Sequence, residues 1–291
     1  MFQHKHKSGI SFEQAKKDAK KAAKKSNIQL SKAQDDLAFA HSRSTWAQAV
    51  RQAKMQITFN LHGADKGDYT CSLNETASVS LVAGVSGAGK TIFFTSVMSQ
   101  LLRQGIPVTY ISYGLPNNQP ECQAQVWLDG EILHALKIKY PALFNVYDVQ
   151  HDSSVESIAL NGGVLFVDEI EHIAIKLEND VEATEQWVKL FSASKHTFVS
   201  SQTFVGFANA ASLFRWEAFY LNMNLFLFRM HNQCLIELRD SVKLEGATIT
   251  DYMINLVSGL NTVHGTMAEF VHIPKPGHYT KCQLFQSQIQ R

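Results

Sequence analysis

Apolar and polar positions along the chain change rhythm twice. Residues 12–25, "FEQAKKDAKKAAKK", put Phe12 and alanines on one stripe with lysines around it, and a helical period continues over 31–54 through Leu37, Phe39, Trp46 and Val50. "MQITFNL" at 55–61 and "DYTCSL" at 68–73 then alternate as strands do around the turn-rich "HGADKGD", which predicts a hairpin. From Ala77 onward short apolar runs alternate with longer helical patterns. The strand-like runs are "SVSLVA" (78–83), "PVTYIS" (107–112), "LFNVYDV" (143–149), "GVLFVD" (163–168), "HTFVSS" (196–201) and "LFLFRM" (225–230). Helical patterns cover 90–104, 121–138, 170–193 and 205–218, and Gly105 with Pro107 stops the first of them.

That alternation predicts an α/β fold, a mostly parallel sheet flanked by helices. Three regions are expected: a basic helical or disordered tail (1–30), a region with a helix and a hairpin (31–76), and the α/β domain proper (77–291). Charge sharpens the first boundary. The chain has a formal net charge of +1, but residues 1–25 carry eight lysines against Glu13 and Asp18, so the remainder is mildly acidic. Ser11-Phe-Glu-Gln14 has the form of a capping box for the lysine-rich helix. Two readings stay open for it, a solvated tail or a basic arm on nucleic acid or another acidic partner. A helix lying on a membrane needs bulkier apolar residues than its alanines.

Composition excludes several classes. Hydrophobic residues at 45% and charged residues at 18% describe an ordinary globular chain. Cys71, Cys122, Cys234 and Cys282 are far apart with no C-x-x-C pair, which argues against a zinc site of paired ligands and against a disulfide framework, and points to a reducing compartment. The twelve histidines are dispersed, His4 and His6 in the tail and His172 beside an acidic pair, and form no metal constellation. No run approaches the roughly 20 apolar residues of a membrane span. The expectation is a cytoplasmic protein without a transmembrane segment, able to sit at a membrane complex or in a virion.

The chemistry begins at "LVAGVSGAGKTIFF". Gly84-Val85-Ser86-Gly87-Ala88-Gly89-Lys90-Thr91 fits G-x-x-x-x-G-K-[ST] in full, with a strand before and a helix after. Small residues let the backbone wrap so that its N–H groups point at phosphate oxygens, and the helix N-terminus adds partial positive charge. Lys90 then reaches the β- and γ-phosphates of ATP, and the Thr91 hydroxyl binds Mg²⁺. The four fixed positions occur by accident in roughly one chain of this length in a hundred.

"GGVLFVDEIEH" supplies a second acidic strand end, with Asp168 as a metal residue and Glu169 placed to polarise the attacking water. An adjacent glutamate of this kind favours hydrolysis over transfer to an acceptor. The next strand, "HTFVSSQTF", ends in Ser200, Ser201 and Gln202, of which Gln202 suits a sensor touching both γ-phosphate and water. Arg229, then Arg215, then Arg239 are candidates for an arginine given to a neighbouring subunit.

The set "AGVSGAGKT", "VLFVDEIEH", "FVSSQTF" and "NLFLFRMHNQ" resembles the additional-strand P-loop ATPases, and within them the FtsK–HerA superfamily of DNA translocases, conjugation and secretion ATPases and genome-packaging ATPases. The resemblance covers about residues 77–230. It implies a RecA-like sheet, ATP and Mg²⁺ as ligands, a homo-hexameric ring, DNA as a plausible partner, and docking to a membrane or capsid complex. The chain departs from that pattern in "VTYISYG", which lacks the acidic residue that ends this strand in translocases. "HIPKPGHYTKCQLFQSQIQR" shows no winged-helix tail. Three functions follow in order: an ATP-driven oligomeric motor on DNA or a secretion or packaging substrate, an AAA+-like switch ATPase acting on a protein partner, and a P-loop phosphotransferase.

Overall fold

The computed structural model describes residues 12–42, 45–46, 57–64, 67–73, 79–113, 125–149, 155, 158, 160, 163–216, 224–231, 235, 251–261, 267–275 and 278–285. Two helices open the chain, α1 (Phe12–Ser26) and α2 (Leu30–Ser42), followed by β1 (Thr58–Gly63) and β2 (Gly67–Ser72). Then come β3 (Val79–Ala83), α3 (Lys90–Arg103), β4 (Val108–Ser112), α4 (Gln125–Lys139), β5 (Phe144–Asp148), β6 (Val164–Val167), α5 (Ile170–Leu177), α6 (Val181–Ala193), β7 (His196–Ser201), α7 (Phe204–Leu213) and β8 (Asn224–Phe228). The last described elements are α8 (Asp251–Ser258), β9 (Met267–Lys275) and β10 (His278–Phe285).

The ten strands among the described residues lie in one sheet of order β2-β1-β10-β9-β8-β3-β7-β6-β4-β5. From β8 to β5 every neighbouring pair is parallel, and from β8 to β2 every pair is antiparallel. The parallel half lies where the apolar runs predict it, since a strand covered on both faces has no polar side. β1 and β2 do form the expected hairpin, which joins the same sheet through β10. The β9–β10 hairpin is an element that the pattern did not predict.

Alternation along each strand divides the core into two faces. Leu81 and Ala83, Leu165 and Val167, Val199, and Leu225 and Leu227 face one cluster with Trp187, Phe207, Phe214 and Trp216. Val82, Phe166, Phe198, Phe226 and Phe228 face the other, where α3 contributes Phe93, Phe94, Val97 and Leu101. Phe198 stacks on Phe166 at 4.7 Å and meets Phe93 edge-on at 6.4 Å, so it ties adjacent strands to the helix that follows the glycine-rich loop.

Local sequence sets the helix ends. The α3 terminus is a Schellman arrangement, with Gly105 N–H bonded to Leu102 O and Ile106 N–H to Leu101 O, both at 3.0 Å. The helix expected over 170–193 is broken in two, because Asp180 accepts the Ala183 N–H at 2.9 Å and caps a new start at Val181. α7 stops at Leu213, before the predicted 218, and Arg215 beyond it is left-handed with φ 61°. Residues 121–124, where the α4 pattern was expected to begin, lie outside the described residues, as do His4, His6, Ser11, Cys122, Cys234 and Arg239. Cys71 and Cys282 are buried free thiols, and burial pushes them up to about 12 and about 11. Among the described residues no helix is long and apolar enough to cross a membrane.

Phe198→Ala removes the ring that both Phe166 and Phe93 pack against. The expected cost is about 3–5 kcal/mol of stability. Urea denaturation followed by tryptophan fluorescence checks this, and a loss under 1 kcal/mol would show that the ring is not a core contact.

Candidate functional site

Parallel strands deliver their C-terminal ends to one edge of the sheet, about 4.8 Å apart. Along that edge in the order β8, β3, β7, β6 stand Arg229, the loop Gly84–Thr91, Gln202 and the pair Asp168-Glu169. Of the sequence candidates among the described residues, all but Arg215 are thereby brought to one place.

The loop is fixed by backbone. Gly84 N–H donates to Ser201 O at 3.1 Å and Val85 N–H to Arg229 O at 2.9 Å, which ties the loop to the ends of both neighbouring strands. A side chain at position 84 would put its Cβ 2.6 Å from that of Phe228, so only glycine allows this approach. Gly87 and Gly89 have φ of 72° and 105°, conformations that turn the chain sharply into α3. Ser86 and Gly87 are exposed at the tip, while Ala88, Gly89 and Lys90 are buried. No side chain caps α3, so its first N–H groups keep their capacity to bind an anion. Lys90 is 7% exposed and its ammonium donates to Gly84 O at 2.7 Å and Val85 O at 3.1 Å. Burial holds its pKa below the ordinary lysine value, against the pull of Asp168, Glu171 and Glu169.

Three hydroxyls surround the Asp168 carboxylate. Ser200 donates to Oδ1, Tyr110 to Oδ2 at 2.9 Å, and Thr91 to Oδ2 at 3.4 Å. Ser200 also accepts the Glu169 N–H at 2.9 Å, so one hydroxyl orients both acidic residues. Glu169 is itself left-handed, with φ 54° and ψ 53°, a costly conformation for a residue with a side chain. Such residues concentrate at functional sites. Its carboxylate accepts from the Gln202 side-chain amide at 2.7 Å and lies 3.8 Å from the His172 ring, which stacks on Tyr113 at 5.5 Å.

Glu171 and Tyr110 are the site neighbours that the sequence reading missed. Glu171 Oε1 accepts the Gln202 backbone N–H at 2.6 Å, and among the described residues its Oε2 has no hydrogen-bond partner. The residue is 7% exposed, and burial raises its pKa above the ordinary glutamate value. Gln202 is therefore held twice, by Glu171 at the backbone and by Glu169 at the side chain. The spacing of "DEIEH" was the available signal for Glu171, one helical turn beyond Asp168. Tyr110 left none, because its role depends on β4 lying beside β6.

The two arginines differ in place. Arg229 is exposed at the end of β8, beside the loop that its carbonyl holds. Arg215 lies past α7, which starts at the Gln202 end of the sheet and carries the chain about 15 Å away. Its guanidinium pairs with Glu185 of α6.

Thr91 and Asp168 give a hard-oxygen donor pair within 3.4 Å, a set that fits Mg²⁺. The uncapped helix, left-handed glycines and buried ammonium fit phosphate. With β7 between the loop strand β3 and the acidic strand β6, the fold is that of a P-loop NTPase with a RecA-like, additional-strand sheet. Three solved structures similar to this chain share its fold at low identity. One is the pCW3 conjugation coupling protein TcpA with ATPγS, at 14% identity over 80% of this chain and 67% of that one, TM-score 0.43. Another is VirB4 of Thermoanaerobacter pseudethanolicus, at 12% identity over 79% and 96%, TM-score 0.49. A third is the genome packaging NTPase B204 from Sulfolobus turreted icosahedral virus 2 in complex with ATPγS, at 12% identity over 69% and 92%, TM-score 0.38. No protein-family model and no curated protein sequence matches the chain.

Glu171 generates a pH prediction. A carboxyl whose pKa is raised on folding contributes stability that is fully present below its unfolded value near 4.5 and is lost as pH rises through the folded value. Glu171→Gln cannot ionise, so its melting temperature should fall less between pH 5 and pH 8 than that of the wild type. Parallel pH profiles would show that Glu171 does not carry this dependence.

Proposed function

We propose that the chain is a magnesium-dependent ATPase working as a homo-oligomeric motor, a hexameric ring by its motif resemblance, that moves DNA or a secretion or packaging substrate. The observation that supports this best is the Gln202 amide on Glu169, beside the Thr91–Asp168 pair and next to a phosphate-type loop. A fixed phosphate cradle, a cation pair and an acid free of the cation pair are the parts that hydrolysis needs.

The loop N–H groups and Lys90 bind the β- and γ-phosphates, with Lys90 exchanging its loop carbonyls for phosphate oxygens. Thr91 and Asp168 hold Mg²⁺, which when bound neutralises charge on the phosphoryl group. Glu169 orients a water for attack on the γ-phosphorus and takes its proton. The bond from that phosphorus to the bridging oxygen breaks, and ADP leaves with the electron pair. Gln202, joined to Glu169 and to Glu171, acts as the sensor that passes the state of the site to α7. Arg229 is the first candidate to be given to a neighbouring protomer, and Arg215, which would have to leave Glu185, is the second. Residues 77–291 constitute the ATPase domain, with the 57–73 hairpin added to its sheet. The chain works in the cytoplasm, at a membrane complex or a capsid.

Mutations separate these roles. Lys90→Ala should abolish productive ATP binding, whereas Glu169→Gln should bind ATP with near wild-type affinity and turn over about 10²–10⁴-fold more slowly. Fluorescent-nucleotide titration beside phosphate release checks both, and equal loss of binding in the two variants would remove Glu169 from its role. Tyr110→Phe removes one hydroxyl from Asp168. It should raise the magnesium concentration for half-maximal hydrolysis about tenfold, as loss of a ligand-orienting group does elsewhere.

A further inference from the structure

α1 and α2 form a helical hairpin whose buried side is made of small residues. Ala15 and Ala19 on α1, and Ala33 and Ala38 on α2, are buried, while the lysines of α1 are not. Lys16, Lys17, Lys20, Lys21, Lys24 and Lys25 are all exposed. They form two neighbouring i,i+4 rows, Lys16-Lys20-Lys24 and Lys17-Lys21-Lys25, with about 6 Å between successive charges in a row.

This helix is built against its own electrostatics. Like charges at i,i+4 destabilise a helix, and α1 contains four such pairs. Of the acidic residues described beside them, Asp18 accepts from Gln14 at 2.9 Å and Asp35 of α2 accepts the Trp46 N–H at 2.8 Å. A regular array of six cations within about 14 Å of helix gains most from a partner whose negative charge is equally regular. Duplex DNA carries one charge per about 1.7 Å of axis. A bilayer fits less well, because the described side chains opposite the lysines, Ala15 and Ala19, are small and buried and offer little to insert.

We propose that the exposed lysine rows of α1 form a docking surface for the phosphodiester backbone of duplex DNA, independent of base sequence and of nucleotide. The surface gives the proposed motor a specified contact with its partner, but it includes no residue of the ATP site. Failure of one therefore leaves the other standing. The mildly acidic remainder of the chain makes α1 the place where a polyanion is drawn.

The test measures anisotropy of two labelled duplexes of unrelated sequence against the full chain, without ATP, from 50 to 200 mM salt. With six phosphate contacts, affinity should fall roughly a thousandfold over that range, equally for both duplexes. Replacing all six lysines by glutamine, which has nearly the same helix propensity, should flatten the log–log slope by about 5. Replacement by arginine should restore it, and Lys90→Ala should bind DNA as the wild type does. Far-UV circular dichroism confirms that the glutamine variant keeps its helix, and wild-type helicity should rise when DNA is added. An unchanged slope in the glutamine variant would overturn the proposal. So would binding to phosphatidylserine vesicles or polyglutamate that equals or exceeds binding to DNA.

Discussion

Two backbone hydrogen bonds govern the geometry of the site, from Gly84 N–H to Ser201 O and from Val85 N–H to Arg229 O. They join the start of the glycine-rich loop to the ends of β7 and β8, so the loop, Gln202 just past β7 and Arg229 just past β8 are set at one edge of the sheet. Backbone bonds of this kind do not depend on side-chain rotamers. The close approach they demand explains why position 84 has no side chain, and the aromatic layer of Phe93, Phe198 and Phe226 beneath them keeps the strands in register.

Around that frame the charged groups are arranged in tiers of hydration. Lys90 is buried, and desolvation weakens its hold on its proton while three carboxyl groups oppose that loss. Glu171 is buried with one oxygen unpartnered among the described residues, and Asp168 accepts from the hydroxyls of Ser200 and Tyr110. The buried ammonium is held on the loop carbonyls of Gly84 and Val85, which phosphate oxygens can replace without bringing it into water. Gln202 links this arrangement to the scaffold, since its main chain and its side chain answer to different glutamates on the same β6–α5 junction.

The parallel half of the fold is legible because burial on both faces leaves β3, β4, β6 and β8 as largely apolar runs, and Asp168-Glu169 stands out as the polar end of the shortest of them. β9 and β10 read less clearly. Glu269, His272 and Lys281 interrupt their alternation and are accommodated by tertiary neighbours: Lys281 pairs with Glu269 at 3.0 Å, Asn261 donates to Glu269, and His272 stacks on Phe226 at 4.6 Å. The Pro276-Gly277 pair between them was the signal for the hairpin. The break between α5 and α6 lay in Asn179-Asp180, a capping signal outweighed by the apolar period around it. Tyr110 stays hidden in sequence for a different reason, because strand order is a tertiary fact and its hydroxyl matters only once β4 lies beside β6.

The central claim is that this edge of the sheet hydrolyses ATP to drive a load. Phosphate release by the purified chain, followed with magnesium and then with EDTA, in the presence and absence of duplex DNA, tests it most directly. Release should require magnesium, rise when DNA is added and increase more than linearly with protein concentration as protomers assemble. Release that persists in EDTA, or none at any protein concentration with or without DNA, would contradict it.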